Sequence, residues 1–147
     1  MYYGFYCYIY RNVKHSTLKL ISMVKFYKCP HCGNIHISVI DSGVVPVCCG
    51  SEMKELVAGE TDGAREKHVP VVTRKSECSV LVEVGSVPHP MLPEHHISFI
   101  YLETACGGQL RRLEPGKPAV AEFCDCKDPV VAVYEYCNLH GLWKTEV

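Results

Sequence analysis

Four cysteines in the first third of the chain constrain its fold more than any other feature. Cys29 and Cys32 form a Cys-x-x-Cys pair, and Cys48 and Cys49 are adjacent. The segment that holds them, residues 23–58, is too short to build an apolar core, so a bound metal ion must stabilise it. Four thiolates at this separation make a tetrahedral all-sulfur site, which suits zinc or a single iron. The spacing does not choose between these two metals.

The residues around these cysteines predict an irregular metal site on a small β module. Gly33, directly after the Cys-x-x-Cys pair, lets backbone N–H groups turn toward the sulfurs. Adjacent cysteines must splay to reach one ion, unlike the two spaced pairs of a zinc ribbon. Turn signals at residues 32–34 and 41–43 flank the β-type run IHISVI.

The cysteine content also bears on the compartment. The chain has 10 cysteines and 8 histidines. Bridge-forming cysteines of secreted domains are usually dispersed, whereas these are clustered, which favours metal binding in a reducing compartment. Residues 1–22 lack the pattern of a signal peptide. We therefore predict a cytoplasmic protein.

Regular metal-site sequence begins at Met23, in the run MVKFYKCP. We expect Met23 to be the initiator and residues 1–22 to be a non-native or disordered extension. The mass of the native N-terminus tests this, since a mass that includes Met1 would disprove it.

The remainder of the chain, residues 59–147, is rich in short β-branched runs separated by glycine or proline. They are HVPVVTR, SVLVEVG, HISFIYLE, AVAEFC and VVAVYEY. This pattern is typical of a β-sandwich. Helical periodicity of 3.6 residues is absent. The predicted fold class is therefore all-β, a metal-held module at 23–58 followed by a sandwich at 59–147.

Charge and hydropathy exclude two classes of partner. The formal net charge is -1, so no basic field exists to attract nucleic acid or an anionic membrane surface. The apolar runs are far shorter than the roughly 20 residues that a membrane helix needs. We predict no nucleic-acid partner and no membrane span.

Several motifs resemble one family. The run YKCPHCGN followed by CCG resembles desulforedoxin, a small domain that binds one iron through four cysteines. Downstream, REKHVP, VPHPMLPEHHI and YCNLHGLWK resemble the three metal-binding stretches of the superoxide reductases. The combination, from about Met23 to Lys144, resembles desulfoferrodoxin, the two-iron form. This resemblance implies a desulforedoxin-like domain, an immunoglobulin-like β-sandwich and a homodimer built by the small domain.

The resemblance also implies two iron ions per chain. One is bound by Cys29, Cys32, Cys48 and Cys49. The other lies among four equatorial histidines and one axial cysteine, with the opposite position open, and these ligands are His68, His89, His95, His140 and Cys137. An axial thiolate pushes electron density onto iron. Leu142 and Trp143 are expected to shield its sulfur.

The implied activity is one-electron reduction of superoxide to hydrogen peroxide, with a small carrier such as rubredoxin as electron donor. The resemblance gives Lys67 two roles, steering superoxide and fixing a proton-delivering water. It makes Glu66 the residue that takes the open position in the oxidised state. Spacing alone would assign the run from Arg65 to Lys67 to a solvated surface.

Some histidines and cysteines fall outside these ligand sets. His96 adjoins His95 and can compete as a ligand. The resemblance favours His95, which keeps the family's offset from the His-Pro-Met motif, so His96 is expected to point away on a strand where faces alternate. His15 belongs to the extension, and His31 and His36 are predicted surface residues. Small apolar or free thiols are favoured for Cys7, Cys78, Cys106, Cys124 and Cys126. Since Cys124 and Cys126 share one strand face, a disulfide or an adventitious metal stays open for them.

Three other functions fit parts of the sequence. A non-catalytic zinc-binding protein accounts for the four N-terminal cysteines and leaves the later ligands unexplained. An electron-transfer protein would need a closed histidine site. A superoxide dismutase would need the oxidised metal to take an electron from superoxide, which an axial thiolate disfavours by stabilising iron(III).

Overall fold

The computed structural model describes residues 24–125 and 128–147. Its elements in chain order are β1 (Lys25–Lys28), β2 (Ile35–Ser38), β3 (Val47–Cys48), β4 (Ser51–Glu52), β5 (Lys54–Glu55), α1 (Arg65–His68), β6 (Pro70–Ser76), β7 (Ser79–Val84), β8 (Ile97–Thr104), β9 (Gly107–Arg112), β10 (Val120–Cys124), β11 (Val130–Cys137) and β12 (Gly141–Glu146). Among the described residues α1 is the only helix, a single turn. No helix in this part of the chain is long and apolar enough to cross a membrane.

Two antiparallel sheets form a sandwich, which confirms the predicted all-β class. One sheet has the order β10-β7-β6 and the other the order β12-β11-β8-β9. Alternate residues of each strand point inward. The core between the sheets is formed by Val80, Val82, Val84, Ile97, Ile100, Leu102, Ala119, Ala121, Phe123, Val130, Val133 and Cys137.

Strand β11 is buried along its whole length. Val133 and Cys137 belong to the sandwich core, whereas Tyr134 and Tyr136 belong to a second cluster on the outer face of the same sheet. A strand covered on both faces needs apolar side chains on both. This is why VVAVYEYC shows a nearly continuous apolar run in place of alternation.

The small N-terminal module covers that outer face. It consists of a sheet with the order β2-β1-β5 and a hairpin of β3 and β4. Phe26 of β1 is 1% exposed, and its ring lies 5.9 Å from Phe99, 5.6 Å from Tyr101 and 5.1 Å from Tyr134. We call Phe26, Phe99, Tyr101, Tyr134 and Tyr136 the aromatic cluster. It attaches the module to the strand that ends at Cys137.

Candidate metal centres

The four N-terminal cysteines converge at one end of the small module. Cys29 follows β1, Cys48 ends β3, and Cys49 lies in the turn to β4. The four sulfurs lie within 4.8 Å of one another. The Sγ of Cys48 lies 3.7 Å from that of Cys32 and 3.9 Å from that of Cys49.

The backbone of this turn explains how adjacent cysteines reach one point. Cys49 has φ +51°, and no other non-glycine residue in the described part of the chain has a positive φ. Gly50, with φ +76°, continues the left-handed turn. This conformation is costly for a residue with a Cβ. It brings both sulfurs to the same side, as a shared metal ion requires.

Ionisation of one thiol in this cluster opposes ionisation of the others. The backbone N–H of Cys32 donates to the Sγ of Cys29 at 3.5 Å and, as the largest cause, lowers the pKa of Cys29 to about 6. Hydrogen bonds with Cys29 and Cys32 raise the pKa of Cys48 to about 12. The thiols therefore cannot all ionise together unless a cation neutralises them. Such a donor set fits a thiophilic metal ion.

Two nearby histidines lie outside this cluster. His31 is exposed and shares a hydrogen bond with the Oγ of Ser51 at 3.1 Å. His36 lies on β2 and is also exposed. Both occupy the surface positions expected for them.

A second cluster forms at one end of the sandwich. His68 ends α1, His89 and His95 lie in the connection from β7 to β8, Cys137 ends β11, and His140 lies in the turn to β12. Their ligand atoms lie within 4.8 Å of one another. Five residues that are remote in sequence thus meet at one point.

The ligand atoms of this cluster lie close to one another. The Nε2 of His68 lies 3.1 Å from the Nδ1 of His140 and 3.2 Å from the Nε2 of His89. The Sγ of Cys137 lies 3.6 Å from both His89 and His140. The Nε2 of His95 is buried and has no hydrogen-bond partner in the described structure. Converging lone pairs of this kind fit a bound cation.

Backbone carbonyls set the tautomers of two imidazoles. The Nδ1 of His68 donates to the carbonyl of Ala64 at 2.8 Å, and that of His89 donates to the carbonyl of Pro90 at 2.5 Å. Each bond leaves the Nε2 lone pair pointing into the cluster.

Burial shifts the pKa values of the ligands in the second cluster. Burial lowers the pKa of His68 and of His95, and it lowers the pKa of His89 to about 4. These imidazoles are therefore neutral at physiological pH, with lone pairs available. Burial raises the pKa of the Cys137 thiol, opposed by backbone N–H groups of the following turn. A bound cation would remove this proton.

The neighbours of the cluster partly match expectation. His96 lies outside it, and its Nδ1 donates to the carbonyl of Leu92 at 3.2 Å. Trp143 stacks on His68 with ring centroids 4.9 Å apart. The expectation that Leu142 shields the sulfur was wrong, since Leu142 packs with the aromatic cluster. Leu142 pairs with Tyr136 and so lies on the opposite face of the sheet from Cys137.

A cleft of about 450 Å³ opens beside the second cluster, and it is lined by Asp62, Gly63, Ala64, Lys67, His68, Pro90, His95 and His140. Lys67 thus lines the same cleft as three of the four imidazoles. Glu66 is not among the described residues that line the cleft. Its carbonyl instead accepts the N–H of Val87 at 2.9 Å, which holds α1 against the connection that carries His89.

Sequence reasoning did not identify Gly63. A Cβ at this position would lie 2.7 Å from the Cζ2 of Trp143 and 3.4 Å from both His68 and His140. Glycine therefore permits the segment before α1 to close over two ligands. A glycine in an apparent loop carries no signal of this contact.

The remaining cysteines that the structure describes take no part in either cluster. Cys78, Cys106 and Cys124 are exposed. Cys7 and Cys126 lie outside the described residues, as do His15 and Met23. The alternative of a disulfide or an adventitious metal at Cys124 and Cys126 stays untested.

Glu135 is buried close to the second cluster. It is 0% exposed, lies between Ile100 of β8 and Trp143 of β12, and neither carboxyl oxygen has a hydrogen-bond partner in the described structure. Burial raises its pKa from 4.5 to about 9. The carboxyl is therefore protonated in the folded protein, whereas it ionises in the unfolded chain.

Glu135→Gln should consequently change how stability depends on pH. Below about pH 4.5 the carboxyl is protonated in both the folded and the unfolded chain, so it adds no pH dependence, and stability falls as the pH rises from there toward 9. The variant should lack this fall and exceed the parent by a few kcal/mol near pH 8. Denaturant unfolding of both proteins between pH 5 and pH 9 measures the difference. Parallel pH profiles would contradict the buried neutral carboxyl.

The comparisons with known proteins agree on one family. The Desulfoferrodoxin family model matches residues 60–146. A desulfoferrodoxin from Nitratidesulfovibrio vulgaris is 48% identical over 122 residues, which cover 83% of this chain and 95% of the relative. A superoxide reductase from Pyrococcus horikoshii is 36% identical, covering 65% of this chain and 96% of the relative.

A solved structure extends the agreement to the fold. The superoxide reductase from Treponema pallidum has a TM-score of 0.72 and 33% identity, covering 85% of this chain and 100% of that chain. The sequence match thus spans nearly all of a full-length relative, and the described fold includes both metal-ligand clusters. The chain belongs to the desulfoferrodoxin family.

Proposed function

We propose that the protein is an oxidoreductase that reduces superoxide to hydrogen peroxide. The observation that carries the proposal is the cluster of four imidazoles and one buried thiolate that borders an open cleft beside Lys67. One superoxide anion, one electron and two protons give one hydrogen peroxide, and no dioxygen is returned. The names of the relatives support this reaction.

Iron is the metal proposed for both clusters. His68, His89, His95, His140 and Cys137 would hold the iron, which would supply the one electron that superoxide takes up. The protein holds four neutral imidazoles and one thiolate around it. The divalent ion and its ligands then carry a single positive charge, which attracts a small anion. The second iron belongs with Cys29, Cys32, Cys48 and Cys49.

Two residues of α1 are assigned roles around this site. Lys67 lines the cleft, where its ammonium attracts superoxide and holds a water that passes protons to the reduced substrate. Glu66 is proposed as a carboxylate that would bind the metal after the reaction. It is not among the described residues that line the cleft.

Lys67→Ala should slow the bimolecular reaction with superoxide about 10-fold and flatten its dependence on ionic strength. The reason is the loss of a positive charge at the entrance to the cleft. Pulse radiolysis at several salt concentrations measures both quantities. Lys75→Ala, which removes an exposed lysine of β6, is the matched control. Equal rates and equal salt slopes in the two variants would discard the steering role.

The iron must be reduced again after each turnover. We assign this step to a small electron carrier such as rubredoxin. The four-cysteine iron either relays this electron or only stabilises its module. We assign the four-cysteine iron to residues 23–58 and the reaction with superoxide to residues 59–147. Residues 1–22 are proposed to be an extension.

The small module is also the proposed dimer interface. It exposes apolar side chains that a monomer would leave in water, namely Val39, Ile40, Val44, Val45, Val47 and Val57. Pairing two such surfaces would bury them in a homodimer. Sedimentation should give the mass of two chains, and a monomer at micromolar concentration would contradict this assignment. Both clusters need reduced thiolates, which supports a cytoplasmic location.

The visible absorption spectrum, recorded with iron and zinc counts on the same sample, tests the cofactor assignment. Two sets of thiolate-to-iron(III) bands, one appearing only on chemical oxidation, and about two irons per chain are expected. A colourless protein that holds zinc would favour a structural role.

A further inference from the structure

We propose that Asn138 is a positioning residue that locks the segment carrying His95 to the turn carrying Cys137 and His140. The proposal rests on the iron site of the proposed function and is independent of the reaction there. Asn138 lies directly after Cys137 and two residues before His140. Its side chain points to a different segment of the chain.

Asn138 makes three hydrogen bonds to the residues on either side of His95. Its Oδ1 accepts the backbone N–H of His96 at 2.9 Å, and its Nδ2 donates to the carbonyl of Glu94 at 2.8 Å. Its backbone N–H donates to the carbonyl of His96 at 3.1 Å. Glu94 and His96 are the chain neighbours of His95. One residue therefore fixes the backbone on both sides of this ligand.

His95 needs this support more than His68 and His89 do. His68 and His89 each donate from Nδ1 to a backbone carbonyl, which orients their rings. Among the described residues, no such Nδ1 bond orients the ring of His95, and its buried Nε2 has no hydrogen-bond partner. Its backbone makes a two-bond bridge with Leu92, at 2.9 and 3.1 Å. The place of this ring is consequently set by its backbone.

The carbonyl of His140 is held separately. It accepts hydrogen bonds from the Nε1 of Trp143, at 3.0 Å, and from the Oγ1 of Thr61. These two bonds fix the turn from Cys137 to His140. The hydrogen bonds of Asn138 connect this turn to the segment that carries His95. Three of the five ligands then hold their spacing as one unit. Such support preserves ligand geometry when the metal changes charge.

The test compares Asn138→Ala with Asn138→Asp in the iron-loaded and iron-free protein. The first readout is hydrogen exchange of the His96 amide, and the second is the rate at which each iron is lost to a chelator, followed by its own thiolate band. Alanine removes both side-chain bonds, whereas aspartate still accepts from His96 and cannot donate to Glu94. Asn34→Ala, at an exposed asparagine of the small module, is the matched control.

Asn138→Ala should expose the His96 amide to exchange and speed iron loss from the histidine cluster about 10- to 100-fold. Asn138→Asp should keep the amide protected and show a smaller acceleration. The four-cysteine iron should leave at the parent rate in both variants, and Asn34→Ala should leave the histidine-bound iron unchanged.

Two results would overturn the proposal. One is unchanged His96 exchange and unchanged iron loss in Asn138→Ala. The other is an equal acceleration at both iron sites, because that pattern is general destabilisation. Neither readout uses superoxide. A protein that shows the expected pattern but does not reduce superoxide would therefore refute the proposed function and leave the role of Asn138 standing.

Discussion

Cys137→Ser should abolish superoxide reduction while the four-cysteine iron stays in place. Among the described residues Cys137 is the only thiol in the histidine cluster, and it is 0% exposed. A serine hydroxyl keeps its proton at neutral pH and cannot replace the charge or the electron donation of a thiolate. Loss of outer hydrogen-bond partners alone weakens metal sites about 10- to 100-fold, so losing a ligand should lower turnover by at least about 100-fold.

The variant carries an internal control. The visible bands of the four-cysteine iron should remain, since Cys137 lies in the sandwich core and that iron lies in the small module. Cys78→Ser, at an exposed cysteine outside both clusters, should behave as the parent. Superoxide reduction retained in Cys137→Ser would show that the axial ligand is misassigned.

Cys29→Ser should unfold the small module and spare the histidine cluster. The buried cysteine of this module packs only with Tyr27 and Met53, and with Cys48 at its edge. So small a cluster cannot replace a bound metal, which contributes about 10–16 kcal/mol in zinc-finger peptides. Hydrogen exchange should show lost protection in residues 25–55 and preserved protection in the sandwich.

The aromatic cluster makes a second effect of Cys29→Ser measurable. Unfolding of the module withdraws Phe26 from Phe99 and Tyr134, which leaves apolar surface on the outer sheet face. The variant should bind a hydrophobic dye and aggregate more readily. A fully protected module without its metal would contradict the view that the metal stabilises it.

The sequence predicts the strands that bury β-branched residues. The five β-branched runs lie at residues 68–74, 79–85, 96–103, 119–124 and 130–136. They overlap the observed strands β6, β7, β8, β10 and β11, in that order. β9 was missed because it begins with two glycines, which normally interrupt strands. A Cβ at Gly108 would overlap the ring of Tyr101. Close packing, which sequence does not display, explains that glycine.

The two candidate metal sites also differ in how far the sequence predicts them. The four-cysteine cluster is predictable from local spacing, because all its ligands lie within one short segment. The histidine cluster required family resemblance, since its ligands come from separate elements. Asn138 and Gly63 were missed because they act through backbone contacts with residues distant in sequence. The sequence did not single out Glu135 because it lies in a nearly continuous apolar run. The alternation of side chains along this strand does not show that both of its faces are covered.

The most direct test of the account is the amount of hydrogen peroxide formed per superoxide consumed, with an electron donor present and dioxygen monitored. Reduction at the histidine and cysteine cluster predicts one hydrogen peroxide for each superoxide, one electron drawn from the donor, and no release of dioxygen. Half as much peroxide, accompanied by dioxygen and no use of the donor, would identify dismutation and contradict the account.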